Sequence, residues 1–165
     1  MRNVGRLTLS TPTDREIAMT RVFDAPRHLV FEAMTRPELV ERWLLGPDGW
    51  TMPVCEIDLR VGGAYRYVWE RGETRMGMGG VFREIAAPER IVQTEVFDDA
   101  WYPGEAVNTT VLTEENGRTT LTLTVLYQSK EARDGVLASP MGDGVAASYD
   151  RLAALLASQV AGKFA

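Results

Sequence analysis

The sequence predicts an α+β fold: a curved antiparallel sheet around one long C-terminal helix, with two short helices after the first main strand. Three observations predict it. Runs with period-two alternation follow one another through the middle of the chain, separated by short turns. A run of about 20 residues near the C-terminus repeats its apolar positions at helical spacing, enough for about 30 Å of helix. Two prolines, Pro26 and Pro37, each open a helical run of about two turns.

The bulk composition sets the frame. A chain of 165 residues fits one domain. A domain of this size buries about 68–70% of its extended-chain surface. The chain divides into an irregular segment over residues 1–13 and a single domain over residues 14–160. Eighteen basic against 23 acidic residues give a net charge of -5. With no Lys/Arg run, this balance argues against nucleic acid and against an anionic membrane as partners. No stretch approaches the roughly 18 apolar residues of a membrane span, and the N-terminus has no secretory apolar core, so a cytoplasmic protein is expected. Cys55 is the single cysteine, which excludes an internal disulfide.

The elements follow in order. Leu7 and Leu9 suggest a short edge strand in the irregular segment. From Glu16 to Phe23, Ile17, Met19, Arg21 and Phe23 alternate against Ala18, Thr20 and Val22, which reads as a strand with one apolar face. Pro26 sits in the first turn of a helix capped by Asp24 or Ala25, with Leu29, Val30, Ala33 and Met34 as its apolar stripe. Thr35-Arg36-Pro37 ends that helix, because a residue before proline avoids the helical region. The second helix carries Leu39, Val40, Trp43 and Leu44, and Gly46-Pro47-Asp48-Gly49 stops it.

Six strands come next: Val54 to Leu59, Ala64 to Glu70, Arg75 to Ile85, Arg90 to Phe97, Glu105 to Thr113 and Thr119 to Tyr127. The last two form a hairpin around Asn116-Gly117. Lys130 to Ala138 is a short helix. Ser139 and Pro140 then start the long one, whose stripe runs through Met141, Val145, Ser148, Tyr149, Leu152, Leu155, Leu156 and Gln159. The two proline-started helices are expected to close the gap where sheet and long helix diverge, as a lid over a hollow.

Residues from Thr20 to Trp43, Gly46 to Val68 and Gly79 to Phe97 resemble a bacterial family named for similarity to the activator of heat-shock protein 90 ATPase, within the START-like (SRPBCC) superfamily. The resemblance is carried by Ala25-Pro26, Val30-Phe31, Pro37, Trp43, Gly46-Pro47, Gly62-Gly63, Glu84 and Pro88-Glu89-Arg90. It continues through Ser129 to Arg133 and Tyr149 to Leu152, and covers residues 14–158. It implies a helix-grip fold, in which a curved sheet grips the long helix with a cavity between them. The superfamily includes lipid and hormone binders, polyketide cyclases and aromatases, and co-chaperone modules. It implies no catalytic residue, because this branch has no shared catalytic motif.

The residues themselves offer little for catalysis. His28 is the only histidine, which excludes a His-based metal cluster, and it reads as a surface residue. No nucleophile elbow and no phosphate loop appear; the glycines of GMGG and VGG read as a bulge or a tight turn. Cys55 reads as a buried thiol. Glu56 and Asp58 share one strand face, and Glu84 and Glu95 each interrupt an apolar strand. A carboxyl facing a dry cavity would have a raised pKa and could handle protons, whereas one facing water or an arginine would not. Alternation alone leaves the facing of Glu84 and Glu95 open.

The aromatic and methionine content is the stronger signal. Trp43, Trp50, Tyr65, Tyr67, Trp69, Met76, Met78, Phe97, Trp101, Met141 and Tyr149 fall on inward positions or near strand ends and are the expected cavity lining. The loop Asp98 to Gly104 would form the rim. The expected function is binding of a small hydrophobic or aromatic molecule between sheet and long helix, with no cofactor and no metal. Two alternatives stand beside it. One is a co-chaperone-like adaptor of a heat-shock ATPase in the stress response, which follows from the resemblance only. The other is a cyclase, aromatase or hydrolase using the same cavity, which would need a convergent acid/base pair. The sequence leaves monomer and homodimer both open.

Overall fold

A computed structural model of the chain describes residues 2–100 and 102–163. It is an α+β structure built on one antiparallel, curved nine-stranded sheet and four helices, consistent with the helix-grip fold. The strands are β1 (Arg2–Val4), β2 (Leu7–Ser10), β3 (Glu16–Phe23), β4 (Thr51–Ile57), β5 (Ala64–Arg71), β6 (Thr74–Ala86), β7 (Arg90–Phe97), β8 (Ala106–Glu115) and β9 (Arg118–Leu126). Their spatial order is β1-β2-β3-β9-β8-β7-β6-β5-β4. From β4 to β9 each strand therefore pairs with the next, as hairpin-length connections require. β3 then closes onto β9 in an eight-residue register from Glu16–Leu126 to Phe23–Thr119.

The helices are α1 (Arg27–Thr35), α2 (Pro37–Trp43), α3 (Lys130–Ala138) and α4 (Met141–Lys163). The strand order explains why α1 and α2 are separate and short. The chain leaves β3 in one half of the sheet and must re-enter at β4, on the far edge. Extended backbone at Arg36 (φ -95°, ψ 119°) redirects it between the two helices. Pro37 enforces that conformation on Arg36 and then starts α2 at the position where a missing N–H is harmless. The Trp43 indole Nε1 donates to the Ala33 carbonyl at 2.8 Å and ties α2 back to α1.

Three sequence expectations need correction. Residues 2–10 are a β-hairpin rather than an irregular segment; the strand expected at Leu7 and Leu9 is β2, which β1 covers at the edge, and both leucines are in the core at 0% and 2% exposed. Gly5 makes the hairpin turn at φ 60°, a backbone conformation that favours glycine. The N-cap of α1 is Pro26 itself, not Asp24 or Ala25, and no side chain caps the helix. Helix α4 begins at Met141 rather than Pro140; Ser139 closes α3, its N–H reaching the Val136 carbonyl, while its hydroxyl accepts from Met141 N–H, the capping contact expected of it.

The stripe read for α4 is the face that packs: Ser148, Tyr149, Leu152, Leu155 and Leu156 are buried. The closest backbone approaches of α4 are to α1, α2 and α3 and to β1, β2 and β3, one half of the sheet. Helix α1 approaches β8 and β9, and α2 approaches β4, which leaves β5 to β7 faced mainly by large side chains.

Candidate functional site

Strand register fixes which side chains meet on that concave face. Tyr67 pairs with Met78, and Met78 with Phe97. Phe82 pairs with Gln93, Gln93 with Asn108, and Asn108 with Val125. Paired residues point to the same side of a sheet, so these two rows cross its interior. Along β5 the rings of Tyr65, Tyr67 and Trp69 follow one another at centroid separations of 5.1 and 5.9 Å, and Phe82 adds a ring 5.5 Å from Tyr65. Two polar tips of this wall are occupied. Trp69 Nε1 donates to the Leu44 carbonyl at 2.7 Å, and the Tyr65 hydroxyl donates to the Thr94 carbonyl at 2.5 Å. On the α4 side, Tyr149 packs against Phe23 and Trp43 at 5.7 and 6.0 Å.

Between the pairs Gly79–Val96 and Phe82–Gln93, the ladder of β6 and β7 opens. Gly80 stands there, and a Cβ on it would lie 2.0 Å from the Thr94 carbonyl oxygen. Only glycine allows this approach. The Tyr65 phenol takes the carbonyl, and the Thr94 hydroxyl accepts from Val81 N–H at 2.9 Å. The sequence reading of these glycines as a bulge or turn missed this use.

The groups around this opening are polar. Glu95 is inward and half-buried; its cross-strand neighbour on β8 is Ala106, and Gly80 runs alongside on β6. Both neighbours are small. Loss of hydration pushes the Glu95 pKa up to about 7, against a partial lowering by a hydrogen bond from the Asn108 side chain. Asn108 is 8% exposed, and its Oδ1 has no hydrogen-bond partner. Three phenols share the Glu95 field: Tyr65, Tyr102 and Tyr127. Burial raises all three pKa values, with the Glu95 charge adding to it, and Tyr102 reaches about 12. Tyr102, from the loop after β7, stacks edge-on against Tyr127 at 5.7 Å.

The inward positions of the central strands retain accessible surface. Gln93, Glu95 and Phe97 on β7 and Leu123 on β9 are half-buried, although their register partners Phe82, Asn108, Ala106, Met78 and Met19 are buried. β7 has strands on both sides. Inward residues there would be sealed in a solid core. Two depressions on the outer surface lie elsewhere: one of about 320 Å³ between β1 and the start of α4, one of about 630 Å³ at Thr13 to Glu16. Both open broadly to solvent, away from these groups.

The residues expected to line a cavity fall into distinct places. Trp43, Tyr65, Tyr67, Trp69, Met78 and Tyr149 are buried; Trp50, Phe97 and Met141 are half-buried. Arg71 lies over the Trp50 ring at 5.1 Å. Met76 pairs with Trp69 at the open end of the sheet and is 41% exposed, so it stands at the rim rather than in the interior. Trp101 lies outside the described residues. Of the carboxylates, Glu56 is exposed, Asp58 pairs with Arg60 at 2.8 Å, and Glu84 pairs with Arg90 at 3.1 Å. Glu95 alone among the four faces inward. Cys55 is half-buried, and burial, with Glu41 and Glu38 adding, pushes its thiol up to about 11, so it is protonated at neutral pH. His28 is exposed. Among the described residues no cluster of His, Cys, Asp and Glu could hold a metal ion. Sequence reasoning missed Gln93 and Asn108; the signal was an amide within an inward alternation of small and apolar residues, Ala106-Asn108-Thr110-Leu112.

The family model described as activator of Hsp90 ATPase homolog 1-like protein matches residues 24–157. No curated protein matches the sequence. Among solved structures, a protein from Rhodobacter sphaeroides is 30% identical with a TM-score of 0.88, covering 93% of this chain and 99% of that one. A protein from Chromobacterium violaceum is 29% identical with a TM-score of 0.74, covering 87% and 98%. An Hsp90 activator from Plasmodium falciparum shares the fold at 20% identity and a TM-score of 0.55, covering 75% and 88%.

Proposed function

The chain belongs to the activator of Hsp90 ATPase homolog 1-like family, and on that premise we propose that it binds a small, largely apolar molecule on the concave face of β5 to β9. One observation carries this reading: inward side chains on the central strands β7 and β9, Gln93, Glu95, Phe97 and Leu123, keep solvent-accessible surface under a cover of aromatic rings. In this reading that accessible surface borders a hollow. The wall is apolar and aromatic with a few convergent polar groups, the composition of small-molecule sites. The expected lining, from Trp43 and Trp50 through Tyr65, Tyr67, Trp69, Met78 and Phe97 to Met141 and Tyr149, supplies the wall. Trp43 and Tyr149 form its back, where they pack on each other.

The experiment is titration with the neutral dye Nile red, read by fluorescence. One saturable site per chain, competed by n-octanol, supports the reading. Non-saturable or absent binding in folded protein overturns it.

A second reading is an adaptor of a heat-shock ATPase in a cytoplasmic stress setting. It is favoured by the family description and by the fold shared with the Plasmodium falciparum Hsp90 activator. Stimulation of a bacterial heat-shock ATPase by the purified chain would support it. The enzyme reading has less behind it. Glu95 is one proton-handling group, and no nucleophile or second titrating group in the neutral range stands beside it among the described residues.

A further inference from the structure

Among the described residues Glu95 is a carboxyl without a cation. The ion pairs found among the described residues, including Arg66–Asp98, Arg83–Glu105 and Arg90–Glu84, engage other carboxylates. What acts on Glu95 is lost hydration and the Asn108 hydrogen bond, with no basic side chain contributing. An ionised carboxyl in that state is costly. Beside it, Asn108 directs an amide N–H at Glu95 and leaves a buried carbonyl oxygen with no donor among the described residues. Buried acceptors are normally satisfied. Two adjacent acceptors thus stand on the inward face beside the half-buried Gln93, Phe97 and Leu123. The missing component is a positively charged group with at least two N–H donors.

We propose that the molecule bound on the concave face is an apolar amine, whose ammonium group pairs with the Glu95 carboxylate and donates to Asn108 Oδ1. The inference rests on the ligand-binding reading. The apolar body then lies along Tyr67, Met78, Phe97 and Leu123, whose side chains share this face. The aromatic wall suits a cation as well as a chain, because ring faces attract positive charge. Selectivity follows from desolvation: an alcohol satisfies Asn108 but leaves the carboxyl unpaired, and a carboxylate ligand meets a like charge.

The pairing makes affinity depend on pH. The groups facing Glu95 are Asn108 from β8, Tyr65 from β5, Tyr127 after β9 and Tyr102 from the loop after β7. Burial raises all three phenols, so they stay neutral between pH 6 and 8, and Glu95 is the group that titrates there. With its pKa at about 7, the ionised fraction falls about tenfold from pH 8 to pH 6.

The test is calorimetric titration of the full chain with n-octylamine, n-octanol and n-octanoate at pH 8 and pH 6. The expected result at pH 8 is octylamine binding at least about tenfold tighter than octanol, with octanoate weakest. Octylamine affinity should fall about tenfold at pH 6 while octanol affinity holds. Glu95→Gln should abolish the amine preference without weakening octanol, and Asn108→Ser should reduce it. Octanol binding as tightly as octylamine, or an unchanged preference in Glu95→Gln, overturns the amine assignment and leaves the binding reading standing. If none of the three binds to protein that is folded by circular dichroism, both fall together. The wild-type pH comparison decides the matter even if a variant does not fold.

Discussion

The Tyr65 hydroxyl reaches past Gly80 to the Thr94 carbonyl, 2.5 Å away, and takes the place of a missing ladder hydrogen bond between β6 and β7. A side chain from β5 thereby bridges two strands. The carbonyl it holds belongs to the residue before Glu95 on β7.

Tyr65→Phe removes the donor and leaves a buried carbonyl unsatisfied, at a cost of about 1–3 kcal/mol. Gly80→Ala should cost more, because its methyl would sit 2.0 Å from the Thr94 oxygen. Both act through one carbonyl, so the double variant should cost less than the sum of the single ones. Urea unfolding midpoints measure all three. Strict additivity would show that the two residues do not act on the same group.

A second prediction concerns Glu95 and stability. In the unfolded chain its carboxyl ionises near 4.5, whereas in the fold it keeps its proton until about pH 7. Between those values the unfolded state binds fewer protons than the native state, so stability declines as pH rises, then levels off above 7. The difference corresponds to about 3 kcal/mol at full effect. Glu95→Gln lacks this decline. Its stability relative to the wild type should therefore be higher at pH 8 than at pH 5, measured by urea titration at both. An equal gap at the two pH values would count against a buried, unpaired carboxyl.

Arg21 supplies the third. Its guanidinium is 4% exposed, donates to Asp150 at 2.6 Å and stacks on Phe23 at 5.3 Å, while its Nε has no partner. Asp150 is 71% exposed, so the pair is asymmetric: the anion is solvated and the cation is not. Asp150→Asn should destabilise by about 1–3 kcal/mol, because it strands a buried cation. Arg21→Met combined with Asp150→Ala should recover most of that, since an apolar side chain of similar length needs no counter-charge. Thermal unfolding reads both. A neutral Asp150→Asn would mean that α4 does not satisfy β3 at this point.

Much of this fold was legible because periodicity is local. The alternation in Glu16 to Phe23 put Arg21 on the apolar face, and the structure finds it there with its anion waiting on α4. Pro26 and Pro37 marked both short helices. In the hairpin of residues 2–10, Leu7 and Leu9 showed the second strand, but the first escaped because three residues are too short to show a period. The facing of Glu84 and Glu95 escaped for a different reason. Met78, Phe82 and Glu84 have the same parity, which would send all three inward. The register of β6 shifts between Phe82 and Glu84, so Glu84 turns outward to Arg90 and Ile85 takes the inward place. One inserted residue reverses every facing beyond it, and nothing local announces it. Asn108 likewise becomes interesting only when β7 is laid against β8.

The hollow itself can be probed by the sign of a mutation. Leu123 is inward on β9, paired with Thr110 and Met19, and half-buried although both partners are buried. If it borders open space, Leu123→Trp places its larger ring there and stability changes by less than about 1 kcal/mol, with added contacts offsetting lost side-chain freedom. If the interior were closely packed, the same change would overfill it at a cost of about 1–3 kcal/mol. The indole would also occupy the volume assigned to the ligand's apolar body, so Nile red and octylamine should both bind at least about tenfold more weakly. Stability and binding are thus read on one variant. A strongly destabilised Leu123→Trp protein would describe a solid core. A stable one that still bound both probes at wild-type strength would put the ligand somewhere other than this face.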